Sequence, residues 1–267
     1  MARRGGTADG TVRQVLAWVG LALMLASVVW WEISPRSPRS AQGGEKPLGG
    51  LVTRVVIDAG HGGNDSGTLR GSVLEKDLTL DVARRLDQLL RAKGLATTLT
   101  RSSDETVSLA SRAAVANKER DCVFVSIHFD DGARAAATGV QTFYAARQTV
   151  KAPPALAWLP FFSRPSAIPN NLESQSLAGF VQEAMVAQTR AFNRGTKAEQ
   201  FYVVANVHHP AVLVEGGFLS NNDDLAKVAS EEYRHQLAVA IGDGIMRYRK
   251  IAGQAEATLA AAGGPRN

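Results

Sequence analysis

Short apolar runs alternate along residues 54–248 with stretches whose apolar residues recur at helical spacing. These are the signatures of buried strands and amphipathic helices. Runs at 54–59, 95–100, 123–128, 140–145 and 211–215 predict strands, with a further short strand at 201–205. Residues 76–93 carry Leu78, Val82, Leu86, Leu89 and Leu90 on one helical face and stop at Gly94. Helices are likewise predicted over 109–118, 176–192 and 233–248. Strands separated by helices favour a mainly parallel sheet covered on both faces. The expected fold class is therefore α/β, a single three-layer domain with a mainly parallel or mixed sheet. No internal repeat is visible.

The pattern changes at both ends. Residues 15–31 form an uncharged apolar run preceded by Arg3, Arg4 and Arg13 and closed by Trp30, Trp31 and Glu32. Its length is near the lower limit for a membrane-spanning helix, and its flanks predict an N-terminus in the cytoplasm with the remainder translocated. A cleavable signal peptide is the competing reading, but bulky tryptophans stand where a small-residue cleavage site belongs. Arg3-Arg4 raises twin-arginine export, but the Gly5-Gly6-Thr7 that follows does not match such a signal closely. The expected organisation is an anchor or signal segment over 1–32, a Pro-, Ser- and Gly-rich tether over 33–50, a catalytic domain over 51–250 and a disordered tail over 251–267. Within the domain, residues 147–173 hold five prolines and the patch Trp158-Leu159-Pro160-Phe161-Phe162. They predict a surface loop, a lid or a docking patch.

Charge and cysteine usage narrow the picture little. The net charge is +5, and residues 1–50 supply +3 of it, with six Lys and Arg against three Asp and Glu. The remainder is too small to argue for nucleic acid as a partner. Cys122 is the only cysteine, so no disulfide framework exists and a buried structural thiol is expected.

The chemistry concentrates at the ends of the strand-like runs. His61 follows Val55-Val56-Ile57-Asp58-Ala59-Gly60, His128 closes Val123-Phe124-Val125-Ser126-Ile127, and Glu215 closes Ala211-Val212-Leu213-Val214. Glu75 stands just before the helix beginning near Lys76. Each has an ordinary alternative: a glycine turn that cradles phosphate, a carboxylate favoured at a helix start, a satisfied core histidine. Glu215 is the hardest to dismiss, because a carboxylate behind four apolar residues is costly to bury unpaired. Parallel sheets place ligands beyond the C-terminal ends of their strands, where His61, His128 and Glu215 all fall. Two imidazoles and one carboxylate are a common shell for a catalytic zinc that keeps one position open for water, and a further carboxylate can take a proton from that water.

The segments IDAGHGGNDSG, LEKDLTLDVARRL, TRSSDETVSLASRAAVAN, FVSIHFD and PAVLVEGGFLSN carry a resemblance to the zinc-dependent N-acetylmuramoyl-L-alanine amidases of bacterial cell walls, colinear from Val52 to Tyr248. The resemblance implies a phosphorylase/hydrolase-like fold and one Zn2+ bound by His61, Glu75 and His128, with Glu215 as the catalytic residue. It also implies hydrolysis of the amide between N-acetylmuramic acid and L-alanine of peptidoglycan, in wall remodelling or daughter-cell separation. The expected location is the cell envelope, periplasmic or otherwise extracytoplasmic, tethered to the inner membrane by the N-terminal segment. A protein activator is a further expected partner.

The chain departs from the family in having Phe129 after the second histidine, where a bulky ring is expected to narrow the groove. In some relatives a helix blocks the site in the region corresponding to 147–173, which here is Pro-rich. Three more residues are candidates for substrate contact or for orienting a ligand: Asp58, Arg112 and His209. Two of them have a plainer reading, Arg112 as a structural ion-pair partner and His209, with His208, as an exposed loop pair. Two other functions compete: a zinc carboxypeptidase-like hydrolase, and a non-catalytic wall-binding protein. An intact set of four site residues argues against the second.

Overall fold

The computed structural model of the protein describes residues 52–132, 136–148 and 171–262, together with Trp18. The predicted anchor, the tether and most of the Pro-rich segment lie outside the described residues. Among the described residues no helix is long and apolar enough to cross a membrane.

Among the described residues, eight strands and six helices make up the domain. The strands are β1 (Arg54–Ala59), β2 (Leu69–Arg70), β3 (Val73–Leu74), β4 (Ala96–Leu99), β5 (Cys122–Asp130), β6 (Val140–Tyr144), β7 (Asn193–Ala198) and β8 (Ala211–Phe218). The helices are α1 (Glu75–Ala92), α2 (Leu109–Lys118), α3 (Leu172–Thr189), α4 (Tyr202–Ala205), α5 (Asn222–Ala229) and α6 (Glu231–Ala262). Six strands form one sheet in the order β4-β1-β5-β8-β6-β7, while β2 and β3 make a separate two-stranded hairpin. β4, β1, β5 and β8 run parallel; β6 is antiparallel to β8 and parallel to β7. The sheet is therefore mixed, with a parallel core.

Each face of the sheet has its own apolar layer. Val55, Ile57, Val125, Ile127, Val212 and Val214 pack under Leu86 and Leu90 of α1, Leu177 and Val181 of α3, and Leu237 and Ile241 of α6. The alternate strand residues Val56, Phe124, Leu213 and Phe143 pack under Ala113 and Ala116 of α2 and Val203 to Ala205 of α4. The second cover is thinner, and it leaves the C-terminal ends of the central strands open on that face. Local chemistry sets the helix ends. Ser108 caps α2 by accepting from the Ser111 N–H, and Asn221 caps α5 by accepting from Asp223 and Asp224. Gly94 takes a positive φ of 78° after α1.

Several elements differ from the sequence reading, the β2–β3 hairpin among them. Residues 202–205 form a helical turn, not a strand, because Val203, Val204 and Ala205 all turn into one apolar layer. The strand at that edge is β7, whose sequence NRGTKA has no apolar alternation to reveal it. α5 is short and mostly polar. α6 continues to Ala262 rather than ending near Tyr248, with Ala252 still buried; residues 263–267 lie outside the described ones. Cys122 is buried, as expected, its thiol donating to the Ala116 carbonyl at 3.7 Å.

Candidate active site

His61, Glu75 and His128 come from three separate elements and meet beyond the C-terminal ends of β1 and β5. His61 Nε2 stands 3.0 Å from Glu75 Oε1, and His128 Nδ1 stands 3.2 Å from both. Their rings meet edge to face. His61 sits in the left-handed region at φ 58°, so the turn after β1 reverses there and aims the ring back over the strand ends. Gly60 can only be glycine for a steric reason: a Cβ there would lie 2.3 Å from the His128 ring. Gly67 does the same against His61 and Glu75.

Glu75 is the first residue of α1. Thr68 donates its backbone N–H to Oε2 at 2.9 Å, and Phe129 donates to Oε1 at 3.1 Å, so the carboxylate is fixed in rotation with Oε1 toward the imidazoles. His61 Nδ1 is 2.9 Å from Asp65 Oδ2, a contact that orients the ring and leaves Nε2 facing the other two groups. Burial opposes the charge on Glu75, but hydrogen bonds from His128 and His61 hold its carboxyl far below the usual range. Burial also works against protonating His61, yet Glu75 and Asp65 outweigh it and raise the imidazole above its ordinary value. The cluster is built to hold positive charge.

Two buried guanidiniums support the turn that carries His61. Arg112 donates to Asp58 Oδ1 at 2.6 Å and to the carbonyls of Ala59 at 2.5 Å and His61 at 2.6 Å. Arg101 donates to the carbonyls of Ala59 at 2.9 Å and Gly60 at 2.8 Å. Arg112 is thus an ion-pair partner of Asp58, with its side chain only 5% exposed. Asp58 does not reach His61. It accepts from Arg112, from Thr100 at 2.5 Å and from Ser126 at 2.7 Å, and acts on the turn only through that arginine. The group that orients His61 is Asp65, which the sequence reading missed, as it missed Arg101.

Glu215 lies one strand over. It is the register partner of His128 on one side and of Gln141 on the other, so all three side chains share a face. Its Oε2 is buried and, among the described residues, has no hydrogen-bond partner. Burial, reinforced by the like charges of Asp130 and Glu75, pushes the carboxyl well above its ordinary value. A buried carboxyl with a free oxygen beside a cation-seeking cluster is equipped to accept and return a proton.

Two expectations fail on geometry. His209 stands before β8, at the end of the strand opposite Glu215; at ~3.3 Å per residue the two are roughly 20 Å apart. Its carbonyl accepts from Gln148, and the His208 N–H donates to Asn117. Neither histidine lines the site. Phe129 does not narrow the groove either. Its ring turns into the core against Gly216, where a Cβ would lie 2.8 Å from it, and only its N–H reaches the site.

The model of a family described as N-acetylmuramoyl-L-alanine amidase matches residues 55–247. The uncharacterized protein YqiI of Bacillus subtilis is 34% identical over 87% of this chain and 95% of its own length. The B. subtilis N-acetylmuramoyl-L-alanine amidase LytC is 32% identical over 73% of this chain, which spans only 35% of LytC. Among solved structures, the CwlD amidase of Clostridioides difficile in complex with the GerS lipoprotein superposes with a TM-score of 0.63 at 27% identity, covering 74% of this chain and 99% of that one.

Proposed function

Because the chain belongs to the N-acetylmuramoyl-L-alanine amidase family, we propose that it hydrolyses the amide joining N-acetylmuramic acid to L-alanine of peptidoglycan, using one zinc ion held by His61, Glu75 and His128. The observation that carries this reading is the mutual spacing of the three donor atoms, 3.0 to 3.2 Å. Tetrahedral ligand atoms about 2.0–2.1 Å from zinc stand roughly 3.3 Å apart, so the donors fit the ion with little adjustment. The donor set, two imidazoles and one carboxylate, is that of open catalytic zinc sites. When bound, zinc supplies acidification of water and polarisation of the amide carbonyl.

The chain's own part in the chemistry falls to Glu215. Its Oε2 takes a proton from the attacking water as the water oxygen bonds to the lactyl carbonyl carbon. It then gives that proton to the L-alanine nitrogen as the C–N bond breaks. The products are a free lactyl carboxylate and a peptide with a free L-alanine amine. Asp65, Arg101 and Arg112 bind no substrate; they keep the His61 turn in place.

The test is mass spectrometry of material released from purified sacculi by the full-length protein, with and without chelator. Peptides starting at L-alanine, absent after chelation, are expected. Peptides cut at an internal bond would favour the carboxypeptidase-like alternative, and release unaffected by chelator would rule out the zinc assignment.

Peptidoglycan lies outside the cytoplasmic membrane, so action there requires export. We assign that task to residues 15–31, acting as an uncleaved anchor, on the strength of their flanking arginines and tryptophans. A role in daughter-cell separation and a protein activator, of the kind suggested by the lipoprotein complex of CwlD, belong to the same proposal.

A further inference from the structure

The side of the site away from the imidazoles is built from β6 and β7. Gln141, the cross-strand neighbour of Glu215, uses both ends of its amide. Its Nε2 donates to Asp130 Oδ2 at 2.8 Å, and its Oε1 accepts from Lys197 Nζ at 3.0 Å and Arg194 Nε at 3.4 Å. Arg194 lies over the Phe218 ring at 4.7 Å, and Lys197 faces the Phe143 ring at 5.8 Å. These groups line an open cavity of about 600 Å³. Among the described residues neither cation has a carboxylate within ion-pair distance. Two cations steered to one point by aromatic faces and a shared amide oxygen, with Asp130 acting on both only from beyond ion-pair distance, are prepared for an anion from outside.

We propose that Arg194 and Lys197 bind a carboxylate of the stem peptide and so select the orientation and the acidity of the substrate. The inference rests on the amidase reading and extends it to one subsite. The order β1-β5-β8-β6-β7 sets the direction. His61 and His128 lie at the ends of β1 and β5, Glu215 on β8, and the cations on β7. Two spacings of about 4.8 Å separate β8 from β7, so the cations lie about 10 Å beyond Glu215 across the strand ends. An extended peptide covers that distance in about three residues. Once the lactyl group forms the scissile amide, the carboxylates near it belong to the peptide half, so a cationic subsite on β7 draws the peptide toward β7 and the glycan toward β1. Asp130 and Glu199 border the same cavity and repel a misplaced anion, which confines the attraction to the two cations.

The test compares release of L-alanine-terminated peptides from purified sacculi before and after carbodiimide amidation of their stem-peptide carboxyls, at substrate levels well below saturation. The full-length protein is expected to favour native sacculi by about tenfold, the scale of one charge-assisted hydrogen bond retained or lost. In the R194M/K197M variant that preference should shrink below about twofold, and in R194K/K197R, which keeps both charges, it should persist. Equal rates on the two sacculi, or a preference that survives in R194M/K197M, overturns the inference and leaves the amidase reading standing. No release from native sacculi overturns both.

Discussion

Replacing Glu215 with glutamine keeps its shape and removes its ability to take a proton. Hydrolysis of sacculi should fall by about 10²- to 10⁴-fold, the usual worth of general acid–base catalysis, while zinc content measured by atomic emission stays near one per chain. His61→Ala should lose both zinc and activity. A different residue effect is expected at Arg112. Removing this guanidinium strands Asp58, which is 1% exposed, and breaking one partner of a buried pair costs about 3–5 kcal/mol. Arg112→Met should therefore lower the urea midpoint strongly, whether or not zinc is present. The contrast between these residues explains what could be read from sequence. His61, His128 and Glu215 stand out because polar groups closing apolar runs need a reason to be there. Arg101 and Asp65 do not: the partners of Arg101 are mainly backbone carbonyls, and Asp65 is one acid in a polar loop. His209 stood as a lesser candidate because sequence reveals proximity to a strand but not which end of it faces the site.

At the level of elements, the parallel core and the helices α1, α2 and α3 follow from apolar periodicity, whereas β7 and α4 do not. β7 is an edge strand of polar residues held by pairing to β6 alone, so nothing in its composition marks it. The Pro-rich segment illustrates a topological consequence of the same mixed sheet. Its two ends are tied together where β6 finishes, Asn171 Nδ2 donating to the Ala145 carbonyl at 3.0 Å. β6 runs antiparallel to β8, so this junction is at the end of the sheet opposite Glu215. Replacing residues 149–170 with a short Gly-Ser linker should therefore leave hydrolysis of sacculi within about twofold, since the ends already meet and closing them costs little. A large increase would instead revive an autoinhibitory role. A second element-level prediction concerns α1 against α6. Asp81 accepts from Arg85 at 2.9 Å and Arg234 at 2.5 Å. Burial opposes its charge, but those hydrogen bonds hold the carboxyl below its ordinary 3.8. A carboxyl whose folded value is depressed contributes stability that is present above the unfolded value and lost as pH falls through the folded one. Asp81→Asn should lower the urea midpoint at pH 7, and the gap from wild type should narrow as pH falls below the ordinary 3.8.

Across the whole molecule, the two faces of the sheet divide the labour. Three helices bury one face and carry most of the core, while the thinner cover on the other leaves the strand ends open, with acidic and imidazole groups toward β1 and cations toward β7. Such a site keeps a buried carboxylate charged beside two imidazoles. Glu75 is buried with Glu215 and Asp130 nearby, and His61 attracts a proton that partly offsets their charge. Zinc should then act as a folding ligand as well as a catalytic one. A ligand that binds only the folded chain stabilises it by about 2.7 kcal/mol at a free concentration 100-fold above its dissociation constant. The chelated full-length protein should therefore melt several degrees below the zinc-loaded form in a thermal scan at pH 7.5. The sign with pH follows from His61. Its raised value means that a proton occupies the cluster over more of the acid range, and the ligands must be free of protons to bind metal. The zinc-dependent rise in melting temperature should shrink as pH falls toward 5.5, and His61→Ala should abolish it at every pH. A rise of equal size in that variant would mean that the ion is bound elsewhere on the protein.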